Sequence, residues 1–315
     1  MKTRPLAACV ALVIGISLVI LLSGAESIVA RSPSQTVEPF GVNLPMQGGP
    51  DRAPVQPADS ASFFDDMNDY NQDRWNKADG WTNGGIFNVG WRADHITHTG
   101  IMTITLDDQP CPGGCSGKPY ASGEYRTAGS DGAAYYGYGC FEARLKAAAG
   151  SGLVTSFFTY NGGTWDTPPG GNGLHNEIDI EILGKDTTQM QTNFFANGDI
   201  GHKYTVTLGF DAAEGFHNYG FKWTESGIEW YVDGSLVYSV TNTVDDPTPD
   251  ATPASGGPQK IMMNFWACTG ADAWCGPFTY TSPLYAEYDW VKYDAGDDCT
   301  LVRKRIYIPL VLNNY

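Results

Sequence analysis

Short runs of alternating apolar and polar residues, broken every few positions by Gly, Asn or Asp, constrain this chain more than any other feature. Period-two alternation gives a strand one face for a core and one for solvent or a site. Ile101-Met102-Thr103-Ile104-Thr105-Leu106 and Tyr204-Thr205-Val206-Thr207-Leu208 have it. Ile228-Glu229-Trp230-Tyr231-Val232, then Asp233-Gly234, then Ser235-Leu236-Val237-Tyr238, predicts a hairpin, since Asp-Gly accepts the positive φ angles of a two-residue turn. Long helical periodicity is absent. About a dozen such strands between Phe63 and Tyr293 predict an all-β sandwich or barrel.

The flanks differ. Lys2 and Arg4 precede an apolar run from Leu6 to Ala25, which predicts an export signal over 1–25, extending at most to 30. Cys9 lies before the end of that run and is read as part of it. Residues 26–60 are a flexible leader rich in Pro, Gly, Ser and Gln, and 61–296 form the folded domain. The tail 297–315, with Arg303-Lys304-Arg305 before an apolar stretch, is a final strand, a docking segment or a surface-attachment signal. A membrane is a partner only if the signal stays uncleaved or the tail anchors. A formal charge of −16 argues against nucleic acid, which needs a basic footprint, and leaves room for a neutral polymer. The chain is expected to be a secreted monomer.

Six cysteines follow the signal, and an even number in an exported chain points to disulfides. Cys268 and Cys275 flank a short loop, and Cys111 and Cys115 can close across their own turn. That pairing leaves Cys140 with Cys299, one of fifteen connectivities.

Glu177-Ile178-Asp179-Ile180-Glu181-Ile182 puts three acids on one face and three isoleucines on the other. Glutamates four apart on a strand are about 13 Å apart at Cα. Leaning together, their carboxyls reach the roughly 5–5.5 Å that a retaining glycosidase uses. Crowded negative charge raises at least one pKa, giving a protonated acid beside an ionised nucleophile. Six residues alone leave open an exposed acidic face or a cation site. Phe157-Phe158-Thr159-Tyr160, Asn193-Phe194-Phe195 and Asn264-Phe265-Trp266 add the aromatic and amide groups that a sugar groove needs, although Phe157 and Phe265 are expected in the core.

His175-Asn176-Glu177-Ile178-Asp179-Ile180-Glu181-Ile182-Leu183-Gly184-Lys185-Asp186 resembles the active-site strand of glycoside hydrolase family 16, most closely the bacterial lichenase group. Trp75 to Gly80, Leu208 to Ala212 and Leu284 to Tyr293 match in the same order. The resemblance implies a β-jelly-roll of two antiparallel sheets with a concave substrate cleft. It implies an endo-acting, retaining hydrolase of mixed-linkage β-1,3-1,4-glucan. Glu177 matches the nucleophile, Glu181 the acid/base and Asp179 the assisting acid. Glucan-binding positions fall on Trp81, Asn83, Phe87, Glu124, Arg126, Phe158, Tyr160, Asn193, Asn264, Trp266 and Trp274. No catalytic cofactor is implied. A structural calcium is, with Asp289 as side-chain ligand and Asp66 and Gly100 as carbonyl ligands.

The chain departs from this pattern. His175-Asn176 replaces a usual Trp-Asp, Phe195 a tyrosine, and Val89 and Ser122 a disulfide pair, while the loop 162–173 is long enough to reshape one cleft end. The alternatives are a xyloglucan-type transglycosylase, a laminarinase of the same fold, or a non-catalytic glycan-binding sandwich.

Overall fold

The computed structural model describes residues 61–127, 134–163 and 165–301. The signal (with Cys9), the whole of the leader and the tail beyond Leu301 lie outside these residues.

Seventeen strands occur among the described residues. The first seven are β1 (Phe63–Asp65), β2 (Trp75–Lys77), β3 (Val89–Trp91), β4 (Ile96–His98), β5 (Met102–Leu106), β6 (Tyr120–Ser122) and β7 (Glu124–Thr127). Then come β8 (Gly139–Lys146), β9 (Leu153–Asn161), β10 (Asn176–Leu183), β11 (Gln189–Phe195) and β12 (Tyr204–Thr207). The last five are β13 (His217–Thr224), β14 (Gly227–Val232), β15 (Ser235–Thr241), β16 (Lys260–Ala267) and β17 (Leu284–Ala295). One helical turn, α1 (Asp272–Cys275), follows β16.

The strands form the expected jelly-roll sandwich. An eight-stranded sheet runs β15-β14-β13-β8-β17-β5-β4, with β1 also on β17. A seven-stranded sheet runs β12-β11-β10-β9-β16-β7-β2, every pair antiparallel. The core between them holds Ile178, Ile180, Ile182, Phe157, Phe265, Trp223 and Trp230. Burying three isoleucines of β10 there turns its acids outward, to the open face of the seven-stranded sheet. The expected hairpin joins β14 to β15, with Asp233 at φ 48° and Gly234 at φ 75°.

Two buried side chains of the eight-stranded sheet cross the core to hold the strands beneath that face. Trp230 Nε1 donates to the Asp179 carbonyl at 3.1 Å, and the Tyr288 hydroxyl donates to the Ser156 carbonyl at 2.8 Å. Trp230→Phe is expected to remove about 1–2 kcal/mol. At roughly 2–4 °C per kcal/mol for a domain of this size, a thermal melt reads the loss directly.

The three expected disulfides form: Cys111–Cys115, Cys140–Cys299 and Cys268–Cys275. Packed structure runs past 296, because Cys299 is tied to β8 and Leu301 is buried against Cys140 and Tyr231. Cys140–Cys299 spans 159 positions and Cys268–Cys275 spans 7. On the chain-entropy relation their losses come to about 5 and about 2.5 kcal/mol. Guanidinium unfolding of Cys140→Ser should therefore show about twice the destabilisation of Cys275→Ser.

Candidate active site

Strand register sets three rows across the open face. Glu181 is level with Gln191 on one side and with Ser156, Asn264 and Glu124 on the other. Asp179 is level with Asn193 on one side and with Phe158, Met262 and Arg126 on the other. Glu177 stands between Phe195 and Tyr160, with Lys260 beyond. All three acids open into one cavity, walled by Phe87, Ser156, Phe158, Asn264 and Trp266.

Their environments push the acids apart in function. Burial raises the Asp179 carboxyl well above its usual range, and the charges of Glu177 and Glu181 add to the rise. Asp179 also hydrogen-bonds Glu177; as the protonated partner it donates, fixing the Glu177 carboxylate. Glu181 is raised to about 7 by burial, opposed by Lys203 and reinforced by Glu177. A carboxyl of that pKa keeps its proton below neutrality and is half protonated near it, which suits a general acid.

The cavity walls are aromatic and amide groups. Phe87 stacks on Trp266 at 4.0 Å between ring centres, and Trp274 lies 5.9 Å beyond Trp266. Trp274 Nε1 donates to Gln191 at 3.0 Å, which holds the indole at the edge of the Glu181 row. Glu124 accepts from Asn264 Nδ2 at 3.2 Å and Asn83 Nδ2 at 3.5 Å, and Trp91 Nε1 holds Asn83 at 2.8 Å. Burial raises Glu124 to about 7, and it sits beneath the cavity wall as a partner of Asn264. Trp81 is half-buried, its ring 5.3 Å from the Arg126 guanidinium. Phe158, Tyr160 and Asn193 are buried on the same face, Tyr160 and Asn193 outside the immediate cavity.

Three groups escaped the sequence reading. The His175 Nε2 sits on Glu177 Oε2, its ring stacked 4.5 Å from Phe195, so the position that loses an indole gains a contact with Glu177. Alternation extended two residues back from Glu177 puts His175 on the acidic face, a signal that was present. Lys203, whose charge reaches Glu181 and Asp179, lies 5.0 Å over the Trp274 ring. Asp166, on the long loop, bonds Arg126 and Lys260. Only the folded pairing brings those two together with the site. At the vacated disulfide positions Val89 packs in the core, and Ser122 Oγ donates to the Phe265 carbonyl at 2.5 Å.

The residues implied as calcium ligands show no sign of a metal site. β1 and β5 pair with β17 on either side of Asp289, which brings Asp66 and Gly100 to its neighbourhood. The Asp289 carboxylate, however, is engaged by Arg144. One carboxylate already neutralised by a guanidinium is a poor start on the roughly six to eight oxygens that calcium takes. Among the described residues no cluster of three or more His, Cys, Asp or Glu could hold a metal.

Residues 83–292 match the family model described as "Glycosyl hydrolases family 16". The chain belongs to glycosyl hydrolase family 16. Across 234 residues it is 44% identical to a beta-glucanase of Bacillus subtilis (strain 168), covering 74% of this chain and 86% of that one. The solved beta-glucanase of Bacillus licheniformis is 40% identical, with a TM-score of 0.62 over 75% of this chain and 99% of its own. A prokaryotic beta-1,3-1,4-glucanase (lichenase) from a mouse hindgut metagenome is 42% identical, with a TM-score of 0.64 over 74% and 99%. The family resemblance read from the strand motif thus extends over the domain, and the carboxylate pair needs no cofactor for its chemistry.

Proposed function

We propose that the protein is an exported, monomeric, endo-acting β-glucanase that hydrolyses mixed-linkage β-1,3-1,4-glucan with retention. The observation that carries this reading is the cavity shared by Glu177, Asp179 and Glu181, in which Glu181 holds a proton near pH 7. The names of its relatives at this level of identity support the substrate. The apolar segment at the start of the sequence and the three disulfides support export.

In the first step a Glu177 oxygen attacks the anomeric carbon. The bond to the leaving oxygen breaks, and that oxygen takes the Glu181 proton. In the second, Glu181 removes a proton from water, the water oxygen bonds to the same carbon, and Glu177 leaves. Asp179 holds Glu177 throughout. Phe87, Phe158 and Trp266 offer apolar surface to sugar faces, and Asn264, held by Glu124, offers a hydroxyl partner. A laminarinase-type strand would carry one more residue before its last Glu, as a bulge. β10 pairs on both sides from Glu177 to Glu181 with no shift of register, which favours the mixed-linkage reading.

Parallel digestion of lichenan, laminarin and xyloglucan tests this, with and without acceptor oligosaccharides. Rapid release of oligosaccharides from lichenan alone is expected. Preferred cleavage of laminarin, or longer products when acceptor is added to xyloglucan, would assign the chain to a sister activity.

A further inference from the structure

The loop 162–173 carries a buried acid onto the open face. Asp166 is 1% exposed, and its Oδ1 accepts from Lys260 Nζ at 2.6 Å and Arg126 Nη1 at 3.3 Å. Both cations stand on the glucan face by register. Lys260 is two strands from Glu177 by way of Tyr160, and Arg126 is three strands from Asp179 by way of Phe158 and Met262. At a strand spacing of about 4.8 Å these are roughly 10 Å and 14 Å from the catalytic strand, the reach of sugar units remote from the cleaved bond.

That part of the face is roofed. Arg126 is 1% exposed and Lys260 3%, and Met262 is fully buried although it clusters with Phe158 and Tyr160 outside the main core. The roof is braced at several points. Gly162 N donates to the Asp166 carbonyl at 3.1 Å, and Gly163 N to the Gly173 carbonyl at 3.0 Å. A Cβ at Gly257 would lie 2.8 Å from Pro168 Cγ, so the 245–258 loop backs the strap closely. Asn161 Nδ2 fixes that second loop through the Gly257 and Pro258 carbonyls at 2.8 and 3.0 Å.

We propose that Asp166 is a specificity-determining residue that ends the glucan-binding face short of Arg126. Its carboxylate takes the guanidinium and ammonium groups that would otherwise meet sugar hydroxyls. A neutral hydroxyl competes poorly for them, because it offers a partial charge where the carboxylate offers a full opposite one. Asp166 is an anion shared by two buried cations, so lifting the loop costs both of them that charge partner. Arg126, a glucan-binding position by resemblance, thus serves here to hold the loop. The proposal rests on the glucanase reading, since it limits how many glucosyl units bind on that flank.

The test compares the intact chain with Asp166→Ala/Lys260→Met, which removes the anion together with one of its cations. Both are assayed on mixed-linkage gluco-oligosaccharides of increasing length, with melting temperatures alongside. On oligomers longer than those at which the intact enzyme levels off, the variant's KM should fall about ten-fold, the contribution of one hydrogen bond to a charged group. Shorter oligomers should keep their kcat and KM. Asp166→Asn keeps the shape and loses only the charge, and should move the same way by less; it serves if the double variant does not fold. A folded variant that levels off at the same length as the intact chain overturns the proposal and leaves the glucanase reading standing. Uniform loss at every length, the mark of a merely structural residue, overturns it too. An intact chain that cleaves none of the oligomers overturns the glucanase reading, and the proposal with it.

Discussion

Glu181→Gln is expected to lower kcat/KM on lichenan by about 10²–10⁴, the usual contribution of a positioned acid/base. An aryl β-gluco-oligosaccharide whose phenolate leaves unaided should still react in the first step. Its glycosyl-enzyme should then accumulate, because nothing deprotonates water for the second. The pH profile supplies a separate sign. Glu181 acts as an acid only while protonated, and with a pKa raised to about 7 by burial, activity should fall as pH rises through that value. Glutamine does not titrate, so the variant should lose this limb. Equal loss on both substrates with the limb intact would move the acid's role to another group.

Glu177→Ala should be the more severe lesion, with kcat down on the order of 10⁴–10⁶, the range seen when a covalent nucleophile is removed. Neither Asp179, held up as a proton donor, nor His175 has the position or charge to replace it. The cavity left beside Asp179 suits a small anion. Azide should therefore restore part of the turnover and leave as a glycosyl azide of inverted configuration, formed in one displacement in place of two. Near-normal activity without azide would remove Glu177 from the mechanism.

How much of this was legible in the sequence depended on whether the cause was local. The alternation of Glu177 to Ile182 dictates which side chains enter the core, and Ile178, Ile180 and Ile182 are there. Asp233-Gly234 makes its turn because two adjacent residues must take positive φ, a demand confined to those two positions. The cysteine pairings followed from one short loop, one short turn and elimination. The neighbours of the acids did not follow from any such rule. Ser156, Asn264 and Glu124 share a row with Glu181 through pairings that join segments 25 to 140 positions apart in the chain, as in the Asn264–Glu124 bond. Asp166 meets Arg126 across 40 positions and Lys260 across 94, and nothing in the residues near any of them announces it. Residue type matched against a family pattern suggested Arg126 for glucan binding, and the register puts it in the row of Asp179. That its guanidinium is spoken for by a loop peculiar in length is a tertiary fact.

On the proposed mechanism two carboxyls of one strand act on the two ends of a single glycosidic bond, through a covalent intermediate. The most direct measurement is the proton NMR spectrum of lichenan oligosaccharides in the first minutes of digestion, before mutarotation. New reducing ends should appear as the β-anomer and only later equilibrate. First appearance as the α-anomer would mean a single displacement by water, and would contradict Glu177 as the nucleophile.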